Sequence, residues 1–382
     1  MFDYVVIGSG LAGTVIAERL ASVLHKKVLI IEKRNHIGGN IFDSYDENGI
    51  LIHNYGPHIF HTKLQEVWTY LSQFTSWVEY EHHVLGVIDG KKAPIPFNLN
   101  SLYELFPYNL ARKLECKLIK NFGFNKKISI LSLKEVKDQD LKFLADYIYE
   151  KVFLNYTLKQ WGKKPEELDS FITGRVPIYI SRDNRYFQDS YQGIPEEGYT
   201  KMMERMLQNN KIKVLLNTDY KEVLEFKYDT GEVNLFGGRF TGEIIYTGPI
   251  DYFFDYKFGQ LSYRSLRFEF QNYRLTNYQD VGTVNYPNNY DFTRITEFKY
   301  LTGQKLDTTT IVREFPEVYY PDINIPYYPV KDDINLTLYK RYKKEVEKYK
   351  KLHLLGRLAE YNYYDMDAVV AKALKIFKER FN

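Results

Sequence analysis

The sequence predicts an α/β fold that combines a parallel-sheet domain, an inserted helical subdomain and an antiparallel sheet domain. An apolar strand pattern over residues 3–7 is followed by a glycine-rich turn, a helical pattern and a second apolar strand over residues 28–31, which together predict a βαβ unit. Residues 100–161 show helical spacing. Residues 175–187 and 261–315 are rich in Tyr, Phe, Thr, Val and Arg, which is typical of strands.

The remaining elements extend this plan along the chain. Helices are expected at 64–74, 335–350 and 366–380, and further strands that rejoin the first sheet at 212–216, 243–247 and 352–355. Because these strands lie far apart in the sequence, the domains are expected to be discontinuous. The predicted limits are 1–80, 210–250 and 351–382 for the first domain, 99–172 for the helical subdomain, and 81–98, 173–209 and 251–350 for the antiparallel sheet domain.

Composition narrows the possible functions. The 382 residues include 52 Lys and Arg against 49 Asp and Glu, a net charge of +3, which is too balanced for a chain-wide nucleic-acid or membrane surface. Cys116 is the single cysteine, so an intramolecular disulfide or a cysteine-based metal site is excluded. Neither a targeting segment nor a membrane span is predicted, and we expect a cytoplasmic protein. Most of the 35 tyrosines are attributed to codon bias and packing.

A dinucleotide-binding motif follows the first strand. Gly8, Gly10 and Gly13 form G-x-G-x-x-G between a strand and a helix. These glycines allow a tight turn, a close approach of pyrophosphate to the backbone, and close packing of the helix on the strand. The helix N-terminus then presents free N–H groups to the phosphates. Glu32, at the end of the second strand, is expected to accept hydrogen bonds from the ribose hydroxyls.

The sequence after Glu32 favours FAD over NAD. A paired glycine, Gly38-Gly39, follows six residues later and allows the chain to turn back beneath a long cofactor. This layout resembles FAD proteins of the glutathione-reductase type. A second G-x-G-x-x-G, which an NAD(P)H domain would need, is missing from the sequence. The first domain is therefore predicted to be an FAD-binding Rossmann-like domain; an NAD enzyme with a glycine surface turn is the alternative.

A series of short motifs resembles the UDP-galactopyranose mutase family. The first is YGPHIFHT at residues 55–62. Others follow in order over essentially the whole chain: YTLKQWG at 156–162, RVP at 175–177, YF at 186–187, QGIP at 192–195, GYT at 198–200, YTGP at 246–249, NY at 285–286, TRITE at 293–297, PYYP at 326–329, GRL at 356–358 and YYDMD at 363–367.

The resemblance implies a redox-neutral isomerisation of UDP-galactopyranose to UDP-galactofuranose. Reduced FAD acts as a nucleophile: N5 attacks the anomeric carbon, UDP leaves, and the flavin–sugar adduct opens and recloses as the furanose. The product is expected to serve the synthesis of cell-surface polysaccharide or lipopolysaccharide. The family also implies that the protein is a homodimer and that it binds a UDP-sugar as its substrate. No nucleic-acid partner is expected.

Matching positions assign the substrate residues. Arg175 and Arg294 correspond to the two arginines that hold the diphosphate; without the surrounding motifs they would be read as strand-surface arginines in salt bridges. Tyr156 corresponds to the residue that stacks on uracil, and the span from Tyr156 to Trp161 is expected to be partly loop. The full predicted set is Val152, Phe153, Tyr156, Thr157, Trp161, Arg175, Tyr186, Asn285, Arg294, Tyr328 and Tyr363.

Two histidines complete the catalytic set. His58 and His61 lie on the segment that resembles the loop against the flavin, where a neutral imidazole can accept and return a proton. Their three-residue spacing also suits a metal, but no convergent carboxylates accompany it, so no metal site is predicted. The predicted cofactor residues are Gly8, Gly10, Leu11, Gly13, Glu32, Lys33, Gly39, Asn40, His58, Ile59, Arg357, Tyr364, Asp365 and Met366. Asp365 is also a predicted helix N-cap.

Several positions depart from the family pattern and leave the substrate open. Gly174 and Tyr179 replace an expected lysine and arginine, and His82-His83 replaces an expected Asn-Arg. A relative acting on dTDP-fucopyranose or UDP-N-acetylgalactosamine is therefore the first alternative. A flavin oxidoreductase and a nucleic-acid binder that stacks bases on its aromatic residues are more remote alternatives.

Overall fold

The computed structural model describes residues 2–167, 176–227 and 232–381. Its α-helices are α1 Leu11–Ser22, α2 Gln65–Leu71, α3 Leu99–Leu105, α4 Tyr108–Phe122, α5 Ile130–Lys134, α6 Gln139–Ile148, α7 Asn155–Trp161, α8 Tyr199–Met206, α9 Tyr220–Val223, α10 Ile250–Phe253, α11 Phe298–Thr302, α12 Asp333–Val346 and α13 Met366–Ile376. Short 3₁₀ segments are Gly39–Ile41 and Pro165–Glu167, and π-helical segments are Tyr149–Leu154 and Phe377–Phe381. None of the helices in these ranges is long and apolar enough to cross a membrane.

The strands are β1 Tyr4–Ile7, β2 Val28–Ile31, β3 Asp43–Tyr45, β4 Leu51–His53, β5 Phe60–Thr62, β6 Trp77–Glu79, β7 Val84–Ile88, β8 Lys91–Ile95, β9 Lys126–Ile128, β10 Ile178–Ile180, β11 Tyr191–Pro195, β12 Ile212–Leu215, β13 Leu224–Lys227, β14 Glu232–Leu235, β15 Gly238–Phe240, β16 Glu243–Tyr246, β17 Tyr263–Tyr273, β18 Thr283–Asn285, β19 Arg294–Glu297, β20 Thr309–Val318, β21 Tyr328–Pro329 and β22 Leu352–Leu354.

A five-stranded parallel sheet forms the first domain. Its strand order is β12-β2-β1-β16-β22, so the predicted late strands do pair with the N-terminal ones. Both faces are covered: Tyr4 and Val6 pack in one apolar cluster, whereas Val5 and Ile7 pack in another. Alternate residues of a strand point to opposite faces, and a parallel sheet is apolar on both. The domain limits given above remain a prediction.

A seven-stranded sheet forms the second large sheet of the structure and carries Arg294, one of the predicted substrate residues. Its order is β21-β17-β20-β19-β18-β7-β8, and neighbouring strands are antiparallel except for β18 and β7. The register places Arg294, the first residue of β19, opposite Asn285 on β18 and opposite Glu314 on β20. Residues that are 20 positions apart in sequence therefore become neighbours.

The segment 175–187 is less regular than the sequence predicts. Of its described residues, Ile178–Ile180 is the part that forms a strand, and it pairs with β9 rather than with a large sheet. Pro177 has no N–H to continue the ladder. Further on, the Asp183 carboxylate accepts from the backbone N–H of Arg185 at 3.0 Å, a side-chain turn that competes with strand pairing.

The expected loop between Tyr156 and Trp161 was wrong. Both residues lie in the continuous helix α7, which directly follows the π-helical segment Tyr149–Leu154. The helix ends after Trp161 because Gly162 adopts a left-handed conformation with φ +68°, and its N–H bonds to the Leu158 carbonyl at 2.8 Å. A left-handed glycine is a common helix terminator.

Candidate functional site

A cavity of about 460 Å³ opens at the carboxyl edge of the parallel sheet. Ligand sites of open α/β sheets lie at this edge, beyond the ends of the strands. Most of the predicted cofactor residues line the cavity, namely Gly8, Gly10, Leu11, Glu32, Lys33, Gly39, Asn40, His58, Arg357, Tyr364 and Met366.

Two glycines bring backbone close to backbone beside the cavity. Gly39 has φ +55°, and a Cβ added to it would lie 2.9 Å from the Cα of Gly10, closer than such atoms approach. The helix–strand contact is equally tight, since a Cβ on Gly13 would lie 2.0 Å from the Gly8 carbonyl oxygen. Glycine at these positions keeps the phosphate-side wall of the cavity open.

Charged groups at the cavity wall suit a dinucleotide. The Glu32 carboxylate accepts from the N–H and the hydroxyl of Ser9, both at 2.9 Å, and is therefore fixed at the end of β2. Arg34 donates from Nη2 to Asn40 at 2.8 Å, while its buried Nη1 has no hydrogen-bond partner within the described ranges. A buried, unpaired guanidinium nitrogen is costly, and an anionic group such as a pyrophosphate satisfies it.

Three predicted cofactor residues are not among those that line the cavity. Gly13 packs against Gly8, and Ile59 packs beside a small apolar cluster that includes Ile50. Asp365 occupies the predicted N-cap position of α13, but its side chain makes no capping hydrogen bond. Their direct contact with a cofactor remains a prediction.

His58 is held in one neutral tautomer. Its Nδ1 lies 2.7 Å from the Gly56 carbonyl oxygen, which can only accept, so Nδ1 carries the proton and Nε2 keeps its lone pair. The backbone N–H of His58 donates to Nδ1 of the buried His53 at 2.9 Å. Burial lowers the pKa of His58 to about 3, and Arg357 and Arg294 act in the same direction. The imidazole is therefore neutral at neutral pH, and its Nε2 can accept a hydrogen bond.

His61 is oriented by a carboxylate. Its Nδ1 lies 2.5 Å from Oδ2 of Asp189, and its ring stacks on Phe187 with centroids 3.6 Å apart. The hydrogen bond from His61 keeps the pKa of Asp189 below its usual value, and burial opposes this. An imidazole fixed at Nδ1 by a carboxylate presents Nε2 in a defined direction.

An aromatic cluster with a cation forms a second part of the site. Tyr328 and Tyr363 stack with centroids 5.5 Å apart, and Trp161 lies 5.7 Å from Tyr328. The guanidinium of Arg357 lies over both tyrosine rings, at 4.8 Å from Tyr363 and 5.4 Å from Tyr328. Burial raises the pKa of Tyr328 to about 12, so its hydroxyl remains a hydrogen-bond donor at neutral pH.

Arg294 faces this cluster from β19. Its Nε donates to the buried Glu314 carboxylate at 2.5 Å. Burial alone would lower the pKa of Arg294, but Glu314 and Tyr156 raise it well above its usual value. Burial also raises the pKa of Tyr156, which Arg294 opposes. The result is a fixed cation next to protonated phenols.

The remaining predicted substrate residues take different places. Val152 and Phe153 are buried in the core of the helical subdomain, on the π-helical segment, and Thr157 follows Tyr156 on α7. Tyr186 packs 4.9 Å from Phe187. Asn285 pairs with Arg294 in the sheet. Arg175 lies outside the described residues.

The positions that depart from the family pattern are also divided. His82 is buried, packs 5.5 Å from Tyr186 and shares a 3.1 Å hydrogen bond between its Nδ1 and the Tyr80 hydroxyl. The backbone of His83 pairs with that of Arg185 in an isolated antiparallel β-bridge. Tyr179 lies on β10 with the Lys127 ammonium 5.3 Å from its ring centre. Gly174 is outside the described residues.

Comparison with known proteins decides the family. The family model "UDP-galactopyranose mutase" matches residues 151–363, and an "NAD(P)-binding Rossmann-like domain" model matches residues 6–74. A UDP-galactopyranose mutase of Mycoplasma genitalium is 36% identical over 98% of this chain and 93% of its own length. The chain belongs to the UDP-galactopyranose mutase family. It is therefore an enzyme of an isomerase family.

Other relatives of the family extend the comparison. A probable UDP-galactopyranose mutase of Klebsiella pneumoniae is 33% identical over 99% of this chain and 94% of its own, and a dTDP-fucopyranose mutase of Escherichia coli is 32% identical over 98% and 97%. A crystal structure of reduced UDP-galactopyranose mutase superposes with a TM-score of 0.73 at 15% identity, covering 99% of this chain and 93% of that one. The α/β fold predicted from sequence is confirmed.

UDP-galactopyranose mutases are FAD-dependent enzymes, and the residues present fit this cofactor. The close approach of Gly10 and Gly39, the fixed Glu32 carboxylate and the unpaired Nη1 of Arg34 all lie around one cavity. FAD has a pyrophosphate for the cation and ribose hydroxyls for the carboxylate.

Several residues of this site were missing from the sequence prediction. Glu314, Asp189, His53 and Arg34 each touch a predicted residue or the cavity, yet none was assigned a role. A signal existed for Glu314, because it alternates with Thr310 and Val312 and so falls on the same face of the strand as these two buried residues. Asp189 and His53 lie in irregular or very short segments, where spacing gives no direction for a side chain.

Proposed function

We propose that this enzyme interconverts UDP-galactopyranose and UDP-galactofuranose without net redox change, with its FAD reduced. The proposal rests chiefly on Arg294, a half-buried cation among protonated tyrosines that acts on the pKa of His58 at the cavity. A diphosphate leaving group needs fixed positive charge and hydrogen-bond donors. A redox enzyme acting on a small apolar or amine substrate has no use for this combination.

Arg294 and the tyrosines would hold the leaving group. Because Arg294 donates its Nε to Glu314, its two terminal nitrogens are directed as a fork, the geometry that suits phosphate oxygens. Tyr328 and Tyr363 would add hydroxyl donors. Burial raises the pKa of Tyr328 to about 12, so its hydroxyl is protonated at neutral pH. It can therefore donate a hydrogen bond to a phosphate oxygen, whereas a phenolate would repel the phosphate. Arg175 would supply the second cation.

His58 would move the proton that ring opening and closing require. Reduced FAD, held by the residues of the cavity, would supply a nucleophilic nitrogen for this chemistry. Nε2 of the neutral His58 would accept a hydrogen bond from a sugar hydroxyl, because the Nδ1–H is donated to Gly56. The negative charge of a bound diphosphate and reduced flavin would raise the low pKa of His58, so that Nε2 could take up the proton and return it later. His61, fixed by Asp189, would serve as a second acceptor or as a wall of the sugar site.

The α7 helix would hold the nucleotide. Tyr156 and Trp161 would present aromatic surface for uracil, and Phe153, buried on the preceding π-helical segment, would support this surface from the core. Stacking of a base on such rings contributes about 1–3 kcal/mol. We further propose that the furanose product feeds the synthesis of cell-surface glycans and that the enzyme acts in the cytoplasm as a homodimer.

The test is turnover by the dithionite-reduced protein with UDP-galactose, followed by chromatography of the sugars. We expect a UDP-furanose to form with far less than one equivalent of reductant consumed per turnover. Stoichiometric consumption of reductant would instead indicate an oxidoreductase. UDP-galactose recovered unchanged from flavin-loaded, reduced protein would refute the proposed activity.

A second candidate is the same reaction on dTDP-fucopyranose. Two observations favour it: a dTDP-fucopyranose mutase of Escherichia coli is 32% identical over nearly the whole chain, and His82 lies beside Tyr186 where the family pattern expects asparagine. Measuring kcat/KM for UDP-galactose, dTDP-fucose and UDP-N-acetylgalactosamine in parallel ranks the candidates. A ratio of about 100 or more in favour of one sugar would correspond to about 2.7 kcal/mol of discrimination.

A further inference from the structure

Lys159 joins two parts of the site that the chain separates by more than a hundred residues. Its Nζ reaches from α7 to the loop 286–293, where it lies 2.6 Å from the Tyr286 carbonyl oxygen, 3.0 Å from that of Phe292 and 3.1 Å from that of Tyr290. An ammonium group has three N–H donors. All three of them are used on one loop.

The bound loop is a compact unit. The rings of Tyr286, Tyr290 and Phe292 pack against one another with centroids 4.9–5.1 Å apart. The loop leads directly into Arg294 at the start of β19. A displacement of the loop would therefore move the arginine that we place on the diphosphate.

Further hydrogen bonds attach α7 on both sides. Asn155 donates to the side-chain oxygen of Asn288, whose amide nitrogen donates to the Lys151 carbonyl, each at 2.8 Å. Arg264 of β17 donates to the carbonyls of Gln160 and Lys159 at 2.9 and 3.0 Å. Among these groups, Lys159 is the cation that donates to the backbone carbonyls of the loop. Neither Asn155 nor Arg264 donates to these carbonyls in the hydrogen bonds described.

We propose that Lys159 is a positioning residue, which sets the distance between the nucleotide-binding helix α7 and the diphosphate-binding Arg294. The inference rests on the proposed binding of a nucleoside diphosphate sugar. Because the base and the diphosphate belong to one ligand, the two subsites must keep one spacing to bind it together. Loss of the tie should weaken ground-state binding more than it slows the chemical steps.

The charge of Lys159 gives the tie a pH dependence. Burial lowers the pKa of Lys159 to about 8, and Asp291 opposes this shift. Arg264 on β17 and Arg313 on β20 also face this region, and both keep their charge throughout. The ammonium form is present below the pKa and is lost as the pH rises through it, together with one of the three donors.

The first experiment measures UDP binding by calorimetry and the KM for UDP-galactose in Lys159→Met. We expect the Kd for UDP and the KM for UDP-galactose each to rise about tenfold, the equivalent of losing one charge-assisted hydrogen bond. The kcat should change by less than about twofold. Lys159→Arg should restore most of the affinity, because a guanidinium can reach the same carbonyls. Lys163→Met, which removes only the surface pair with Asp332, should match the wild type.

The second experiment follows the KM for UDP-galactose between pH 7 and 9. In the wild type it should rise above pH 8, whereas in Lys159→Arg it should stay flat. Equal UDP affinity in the wild type and Lys159→Met, or parallel pH profiles in the wild type and Lys159→Arg, would overturn the inference. Should Lys159→Met fail to fold, the second comparison still decides. A wild type without mutase activity would instead refute the proposed function, while UDP calorimetry remains interpretable.

Discussion

The cofactor cavity and the aromatic cluster are built in different ways, although Arg357 belongs to both. At one side of the cavity, the turn after β1 and the loop after β2 bring backbone close to backbone at Gly10 and Gly39. The cluster consists of side chains from α7, β19, β20 and the C-terminal loop, brought together around Arg294. The first region depends on the absence of side chains, and the second on their orientation.

This difference predicts how each region fails. A backbone wall is damaged by added volume and should lose its cofactor. A side-chain cluster is damaged by removing a charge or its support, and should lose turnover while the flavin stays bound. The variants below separate the two outcomes by measuring flavin content and turnover on the same sample.

Arg294→Ala should have the largest effect on turnover. Removing a fixed cation from a developing diphosphate charge is expected to lower kcat about a thousandfold, while FAD content stays at the wild-type level. Arg267→Ala is the matched control, since Arg267 pairs with Glu269 and Glu317 at an exposed part of the seven-stranded sheet. Loss of the yellow cofactor in Arg294→Ala would show that this residue belongs to the other region.

Gly39→Ala should weaken FAD binding about 100-fold, because the new Cβ would approach Gly10 to 2.9 Å and overpacking of this kind costs about 1–3 kcal/mol. Gly49→Ala provides the control. Gly49 also has positive φ, at +77°, but no atom lies within 4 Å of its added Cβ. Both variants place an alanine at a positive φ and share that backbone strain. The difference in their flavin content after gel filtration therefore measures the effect of the contact between the new Cβ at position 39 and Gly10. Equal flavin content would contradict the prediction.

The two regions also differ in how far the sequence predicts them. The cavity follows from a contiguous motif, because Gly8, Gly10 and Glu32 are fixed relative to one another by a single βαβ unit. The partner of Arg294 could not be found this way. Glu314 meets it only through the register of β19 and β20, and register depends on packing across the whole sheet.

Helix α7 shows the same limit at the level of secondary structure. The sequence predicts that Tyr156 and Trp161 belong to one nucleotide wall, but it expects a loop between them. The structure instead has a continuous helix that follows a π-helical segment. Single-turn π segments depend on tertiary packing and leave no periodic signal, so spacing alone gave the wrong local structure.

Glu314→Gln should have an intermediate effect on turnover. The glutamine can still accept a hydrogen bond from Arg294, but it no longer compensates the charge of the guanidinium. We expect kcat to fall about thirtyfold through misplacement of the guanidinium, with FAD content unchanged. Glu317→Gln lies on the same strand and pairs with the exposed Arg267, so it should behave as the wild type. A wild-type kcat in Glu314→Gln would show that Arg294 is oriented by other groups.

Asp189→Asn should give the smallest of these effects and tests the boundary between the two regions. The Asp189 carboxylate accepts a hydrogen bond from the Nδ1–H of His61, with Nδ1 and Oδ2 2.5 Å apart. An asparagine amide can donate to Nδ1 instead, which moves the imidazole proton to Nε2 and removes the acceptor from the side of the sugar. We expect kcat to fall about tenfold, with the KM for UDP-galactose and the flavin content unchanged. Asp183→Asn, on the same segment but paired with Arg185, controls for the loss of a carboxylate. A lower flavin content in Asp189→Asn alone would place His61 with the cofactor wall, whereas unchanged kcat and flavin content would leave His61 as packing for Phe187.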